Sequence, residues 1–294
     1  MNQVHHVGVM INPGKQNLLP RARTIISWLE DRNIHVMMPL TEPFREHFGC
    51  YLATVEQVRE SADLIISLGG DGTLCRSARE YSTAGVPVLG INLGGLGFLT
   101  EIPLDTFGEG LQAVCSGECL IEERIMLEAN ILRDGKQFSS YLALNDVVIS
   151  KSSLPRTISL ETFVSGDLVT TYSADGIIIS SPTGSTAYSL SAGGAIVDPR
   201  LDVILISPIC AHTLSVRPLI ISGDETVCVS PKAPFQDILL TVDGQECHPL
   251  RMTDKVEICK SPSRARLVRL RHKKSFFETL RTKLGWSGIT AKGT

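Results

Sequence analysis

Leu64-Ile65-Ile66-Ser67-Leu68-Gly69-Gly70-Asp71-Gly72-Thr73-Leu74 decides how this chain is read. A short, mostly apolar run with β character breaks into glycines before a segment that can be helical, which predicts strand, tight turn and helix. Glycines at such a turn are expected to reach backbone angles closed to other residues and to let a ligand approach the main chain. The helix start beyond them offers N–H groups to phosphate. A carboxylate is out of place there. Asp71 repels phosphate oxygens at close range unless it meets a Mg²⁺ ion between phosphates or a hydroxyl about to attack one. Asp71 is therefore read as the catalytic centre of a phosphoryl transferase. The competing reading is a structural turn, because Asp and Gly are ordinary turn residues and Asp caps helices.

On the N-terminal side, Val7 to Pro13 reads as a buried strand ending in a turn. Arg21 to Arg32 sets Ile25, Ile26 and Leu29 on one helical face, and Ile34 to Met38 reads as a second strand. Tyr51 to Ser61 suits a helix that leads into the Leu64 strand. After a helix over Arg76 to Tyr81 comes a further strand, Val86 to Asn92. Strands alternating with helices imply a parallel sheet covered on both faces, a Rossmann-like α/β domain over residues 1–102. At the carboxyl end of the last strand lies a second glycine-rich loop, Asn92-Leu93-Gly94-Gly95-Leu96-Gly97-Phe98-Leu99-Thr100. Ligands of open α/β sheets bind at that edge, so the two loops are expected to converge. Phe98 either packs in the core or sets its ring against a ligand base.

Around Pro103 the texture changes. A helical passage to about Gly117 gives way to short β-prone runs: 127–132, 141–149, 158–164, 168–172, 176–180, 203–206, 226–229 and 238–242. Turn signals such as Asp134-Gly135, Ser165-Gly166 and Asp243-Gly244 separate several of them. That spacing predicts a mainly antiparallel β domain over residues 103–268, with a helical tail, 269–294, packing back on the body through Phe276, Phe277, Leu280, Leu284 and Trp286.

The chain is globular in composition, with 294 residues, 43% of them hydrophobic, and a formal net charge of −3. That charge argues against a general nucleic-acid or anionic-membrane binder. The eight cysteines form no C-x-x-C pair and no Cys/His spacing suited to zinc, so they read as buried, reduced thiols. No charged and apolar leader and no membrane-spanning run is seen, and a cytoplasmic protein is expected.

Two further stretches carry chemistry. In Tyr141 to Ile149 an apolar strand is interrupted by Asn145-Asp146. Buried polar groups left unpaired cost roughly 1–3 kcal/mol each, so this pair is met by neighbours or by a ligand. A vicinal diol suits it, as a ribose would, and a satisfied pair at a strand bulge is the alternative. The other stretch runs from Ser173-Ala174-Asp175-Gly176 through a strand to Ser181-Pro182-Thr183-Gly184-Ser185-Thr186-Ala187-Tyr188-Ser189-Leu190-Ser191-Ala192-Gly193-Gly194. Its density of hydroxyls with little side-chain bulk fits phosphate and sugar oxygens, and Tyr188 adds a flat face. Helix capping is the plainer account.

Gly-Gly-Asp-Gly-Thr resembles the signature shared by NAD kinases, lipid kinases and, more loosely, phosphofructokinases. The Thr183 to Gly194 loop after Asp175-Gly176, the Asn145-Asp146 pair and His212-Thr213-Leu214-Ser215-Val216-Arg217-Pro218-Leu219 then stand in the order seen in bacterial NAD kinases, as does the Phe277 to Trp286 tail. The chain thus resembles an NAD kinase over nearly its whole length. The resemblance implies transfer of the γ-phosphoryl of ATP, or of polyphosphate, to the 2′-hydroxyl of the adenosine ribose of NAD. It implies Asp71 as proton acceptor, and Gly69, Gly70, Gly72 and Thr73 around the donor triphosphate. Mg²⁺ or another divalent cation would be held through the phosphates rather than by protein ligands. Asn145 and Asp146 would grip the adenosine ribose and Asp175 the nicotinamide carboxamide. Thr183, Thr186, Ala187, Tyr188, Ser189, Leu190 and Ser191 would line the NAD site, with Phe98, Ser173, Arg156 and Gln245 as further contacts. A homodimer or homotetramer built through the β domain is implied too.

Two departures stand out. Many members have Asn-Glu where this chain has Asn145-Asp146, and Ser173 stands where some bacterial members carry Arg and others Gly, a difference associated with polyphosphate and NADH use. The rival readings are a lipid or sugar kinase on the same turn and a non-catalytic dinucleotide sensor. A lipid kinase would be expected to show a long apolar cleft or a basic amphipathic helix, and the basic run Arg269 to Lys274 is short and not clearly amphipathic.

Overall fold

The computed structural model describes residues 4–12, 18–39, 45–95, 97–152, 157–213, 215–232, 238–271 and 274–286. The chain forms two compact units, Met1–Glu122 with Arg266–Thr294, and Glu123–Ala265. Residues 103–122 thus pack with the first unit, as does the C-terminal tail.

The first unit runs β1 (His6–Ile11), α1 (Leu19–Glu30), β2 (His35–Pro39), α2 (Arg45–Phe48), β3 (Leu52–Ala53), α3 (Val55–Ser61), β4 (Leu64–Gly69), α4 (Asp71–Tyr81), β5 (Val88–Asn92), β6 (Ile102–Pro103) and α5 (Phe107–Cys115). Its strands lie in the order β3-β2-β1-β4-β5. All of these pairings are parallel, with Val7 opposite Leu64 and Ile65 opposite Val88. Every residue of β4 is buried, as expected of a strand covered on both faces. α1 buries Ala22, Ile25, Ile26 and Leu29 at helical spacing. The strand order reverses at β1 and β4, so the turn after β4 stands at the switch point where open α/β sheets take ligands. The parallel sheet expected from the alternating pattern is present.

The second unit is mainly antiparallel. It takes in most of β7 (Cys119–Arg133), then β8 (Lys136–Ala143), β9 (Asp146–Lys151), β10 (Ile158–Val164), β11 (Asp167–Ala174), β12 (Gly176–Ser180), the single turn α6 (Tyr188–Ser191), β13 (Val203–Ile209), β14 (Leu219–Ser222), β15 (Val227–Pro231), β16 (Ile238–Val242), β17 (Glu246–Leu250) and most of β18 (Lys255–Leu270). One sheet has the order β14-β13-β12-β9-β16-β17. Strands β11, β10, β15 and β18 pair side by side, and β7 pairs with β8. A core including Ile149, Ile177, Ile179, Ile206, Val229, Leu240 and Val256 fills this unit.

Four expectations are revised, the first being burial of the cysteines: Cys50, Cys210 and Cys247 are exposed, and only Cys75 and Cys119 are fully buried. The run 141–149 is not one strand: it breaks at Leu144-Asn145, the end of β8 pairing with β7 and β9 lying between β12 and β16. Helix α4 begins at Asp71 itself rather than at Arg76. The final helix α7 (Phe276–Leu284) has a Ser275/Glu278 capping box and stops at Gly285 with φ 66°, yet of the apolar side chains expected to pack only Leu280 is fully buried, while Phe277 and Trp286 are exposed.

Candidate functional site

In the first unit, Gly69 closes β4, Gly70 is the N-cap of α4, and Asp71, Gly72 and Thr73 form the first helical turn. None of these three glycines has a positive φ, so the expectation of special backbone angles here is not met. A side chain at Gly69 would collide with Thr73 Oγ1, whereas a Cβ on Gly70 would meet nothing within 4 Å. The chain's own packing does not demand glycine at position 70; close approach of a ligand to the backbone would.

The Asp71 carboxylate is held by the second glycine-rich loop. Oδ2 accepts the N–H of Phe98 at 2.8 Å, and Oδ1 accepts those of Leu99 at 3.1 Å and Thr100 at 3.2 Å. An ionised carboxylate has about four acceptor positions, so these three bonds leave one, on Oδ2. Gly97 makes the approach possible, since a Cβ there would lie 2.1 Å from Asp71 Oδ1. The expected convergence of the two loops is thus a direct one: the carboxylate joins them.

The second loop is braced in turn. Asn92 Oδ1 accepts the N–H of Gly94 at 3.1 Å, and its amide donates to the carbonyl of Gly95. Arg269 donates to the carbonyl of Leu99 at 2.9 Å and pairs with the buried Glu101 at 3.0 Å and with Glu122 at 2.8 Å. The Phe98 ring is part-buried, with Lys283 Nζ 5.6 Å from its centroid. Sequence reading marked Arg269 only as the start of a short basic run, because a basic residue carries no signal of its carbonyl partner.

In the second unit, Leu144, Asn145 and Asp146 all donate backbone N–H groups to the Asp243 carboxylate, at 3.0, 2.7 and 3.1 Å. Asp243 reaches them from the tight turn after β16, at φ 47°, a left-handed conformation that Asp tolerates better than most residues. The break between β8 and β9 is therefore a capped bend. Asp146 itself is buried, and loss of solvent, with the Asp243 charge beside it, pushes its carboxyl up to about 7. Asp243 stands in the Val242-Asp243-Gly244 turn, whose composition alone marked it only as a turn.

The hydroxyl-rich loop packs against this bend. Ser181 N–H and Ser180 Oγ both donate to the Asn145 carbonyl, at 2.9 and 3.1 Å, and Ser181 Oγ donates to that of Leu144 at 2.5 Å. A Cβ on Gly184 would lie 2.1 Å from Asn145 O, so only glycine lets the loop come this close. The hydroxyls divide into two groups. Ser180, Ser181, Ser185 and Ser189 are fully buried and bonded internally, Ser185 to Val197 and Ser189 to Ser207 at 3.0 Å. Thr186 and Ala187 are part-buried, and Tyr188 and Ser191 are exposed. Thr183 accepts from the buried Arg124 at 3.3 Å. Asp198 lies in the same neighbourhood, its carboxyl drawn down to about 2 by its hydrogen bond with Arg200 and by the charges of Arg200 and Arg124.

Asp175 sits between β11 and β12, and its Oδ1 forms an ion pair with Lys151 Nζ at 2.6 Å. Strands β9 and β12 pair with Asp146 opposite Ser180 and Ser150 opposite Gly176. Asp146 and Lys151 are thus at opposite ends of β9, about 17 Å apart at strand rise. A ligand touching both ends must be extended. Ser173 is exposed, with its hydroxyl 3.5 Å from Thr157, and Gln245 is exposed beyond the Asp243 turn. Arg156 lies outside the described residues. Among those residues no three His, Cys, Asp or Glu side chains converge to hold a metal, and no helix is long and apolar enough to cross a membrane.

Comparison with known proteins matches this arrangement to a family. Residues 7–119 fit the family model of the ATP-NAD kinase N-terminal domain, and residues 144–270 that of the ATP-NAD kinase C-terminal domain. The chain is 45% identical over 267 residues to the NAD kinase of Geotalea daltonii and 46% identical over 267 residues to that of Geobacter sulfurreducens, in each case covering 90% of this chain and 93% of the other. Among solved structures, the crystal structure of yeast NADH kinase complexed with NADH superposes with a TM-score of 0.87 at 25% identity, covering all of this chain and 91% of that one. An NAD kinase from Archaeoglobus fulgidus in complex with ATP shares the fold, with a TM-score of 0.70 at 24% identity and coverage of 95% and 97%. The two models between them account for both units, and the chain belongs to the NAD kinase family.

Proposed function

We propose that this chain phosphorylates NAD, moving the γ-phosphoryl of ATP to the 2′-hydroxyl of the adenosine ribose and giving NADP. The observation that carries the reading is the state of Asp71. Its carboxylate is fixed at a helix start by three amides and keeps one acceptor position on Oδ2. That position takes the proton of the ribose hydroxyl as its oxygen bonds to the γ-phosphorus, while the bond from that phosphorus to the β–γ bridging oxygen breaks and ADP leaves. The fixed orientation is worth as much as the basicity, because alignment and electrostatics dominate phosphoryl transfer.

Gly69, Gly70, Gly72 and Thr73 receive the triphosphate at the start of α4, whose first-turn N–H groups point along the helix axis toward anions. A divalent cation fits this donor set without a protein cage, since it would arrive on the triphosphate and be held through the phosphate oxygens. Bound there, Mg²⁺ would neutralise phosphate charge. Asn145 and Asp146 hold the adenosine ribose, Asp146 offering a proton when neutral and accepting one when ionised. Thr183, Thr186, Ala187, Tyr188, Leu190 and Ser191 line the dinucleotide site, and Asp175, paired with Lys151 at the far end of β9, receives the nicotinamide carboxamide. Ser189, committed to Ser207, supports the loop from beneath.

The protein acts in the cytoplasm as a homodimer or homotetramer. The exposed apolar edge of β14, with Leu219 and Ile220 in solvent, supports the oligomer. The test of the activity is NADP formation, read through an NADP-specific dehydrogenase, from protein, NAD, ATP and Mg²⁺. Polyphosphate replaces ATP in a second arm, and diacylglycerol and fructose 6-phosphate replace NAD in a third. Absence of NADP, with NAD still bound, would leave only a dinucleotide sensor.

A further inference from the structure

We propose that Lys151 sets the preference of the site between oxidised and reduced dinucleotide. The inference rests on the reading above that Asp175 receives the nicotinamide carboxamide, and goes beyond it in naming the group that controls the charge there.

Lys151 ends β9 and Asp175 precedes β12, and the two are joined twice. The Lys151 N–H donates to the Asp175 carbonyl at 3.1 Å, and Lys151 Nζ pairs with Asp175 Oδ1 at 2.6 Å. Both side chains are partly withdrawn from water, at 25% and 33% exposure, so their charges are incompletely screened. Among the described residues the pairing engages Oδ1 and leaves Oδ2 as an acceptor for an amide N–H. The carboxamide donor of a nicotinamide is the same in both redox states. The ring is not: it carries a positive charge in NAD and none in NADH.

A lone carboxylate beside the ring would attract the cation and discriminate against the neutral form. With Lys151 on the other oxygen, the pair presents almost no net charge, and the hydrogen bond to the carboxamide is kept without the Coulombic bias. The ammonium is thus a specificity-determining group, acting through Asp175 and through its own field rather than on the reacting atoms.

The experiment compares kcat/KM for NAD and NADH, with ATP and Mg²⁺, in the wild-type chain and in Lys151→Met, Lys151→Gln, Lys151→Arg, Asp175→Asn and the Lys151→Met/Asp175→Asn pair. Each variant is checked for thermal unfolding, and the use of both Met and Gln guards against one of them failing to fold. Removing the lysine charge is expected to raise the NAD-over-NADH ratio about five- to tenfold, the size of one partly screened unit charge, chiefly through KM. Arg should keep the wild-type ratio, Asp175→Asn should lower it, and the double variant should return toward wild type. An unchanged ratio in the Met and Gln variants, with Asp175→Asn still raising KM, would overturn the role of Lys151 and leave the placement of Asp175 standing. If Asp175→Asn alters neither KM, the placement of Asp175 itself is wrong.

Discussion

The backbone N–H of Phe98 donates to Asp71 Oδ2 at 2.8 Å, across 27 positions of sequence. One carboxylate therefore does two things: it ties the second glycine-rich loop to the start of α4, and it presents an acceptor at a fixed place.

Asp71→Asn follows directly. The amide nitrogen that replaces one oxygen is a donor, and it would face backbone N–H donors from Phe98 or from Leu99 and Thr100. Turnover should fall roughly 10²–10⁴-fold, the usual worth of a positioned base. NAD affinity, measured by calorimetry, should change little, since Asp71 supplies only one of the proposed dinucleotide contacts. Near wild-type NADP formation by the Asn variant would remove Asp71 as the base.

Gly97→Ala tests the geometry without touching the carboxylate. Its methyl would lie 2.1 Å from Asp71 Oδ1 and 2.5 Å from Thr100 Oγ1, so carboxylate or loop must move. A shift of about 1 Å at a catalytic group costs about 100-fold in rate. The expected result is a drop in kcat of that order with KM for NAD largely kept. The control is Gly94→Ala, where nothing lies within 4 Å of the added methyl.

Asp146 gives a pH prediction whose sign is fixed. Its folded value, about 7, lies above the ordinary 3.8, chiefly through burial, so the folded state favours the neutral acid. The unfolded chain gives up this proton near pH 4 and the folded chain only near pH 7. Stability from this group is therefore complete below about pH 4 and is lost as pH rises to about 7, then stays flat, a loss of up to about 4 kcal/mol. Urea unfolding of wild type and Asp146→Asn across that range should show the extra downward slope in the wild type alone. Parallel slopes would mean that Asp146 is ionised throughout.

Asp243 bears on both stability and binding. In Asp243→Ala the amides of Leu144, Asn145 and Asp146 lose their acceptor, at roughly 1–3 kcal/mol for each one left unsatisfied. Ala is also strained at the left-handed φ, whereas Asn fits it and keeps one acceptor. Denaturant titration should place Asp243→Asn between wild type and Ala. KM for NAD should rise in the same order, because the bend carries Asn145 and Asp146. Equal stability of all three chains would mean that the cap contributes nothing.

Much of this site was legible in the residues. The apolar run Leu64 to Leu68 and the glycines after it announced a strand feeding a helix start, and an acid in that position pointed to phosphoryl transfer. Alternation of strand and helix up to Asn92 predicted the parallel sheet, and the Ser181 to Gly194 stretch announced a hydroxyl-rich loop. The Ser and Thr residues in that loop could not be sorted by composition. Ser189 and Ser185 look like Ser191 in the sequence, and only packing turns the first two inward and the last one out.

The sequence by itself determined what is local: which segments are strands or helices, because periodicity and turn residues act over a few positions, and which family motifs the chain carries. The tertiary structure alone decided the partners. Asp71 with the amides of 98–100, Asp243 with those of 144–146, Arg269 with the carbonyl of Leu99, and Lys151 with Asp175 are separated by between 24 and 170 positions. A charged side chain finds such a partner only when folding has withdrawn both from water and fixed the distance between them, and no pattern along the chain encodes that.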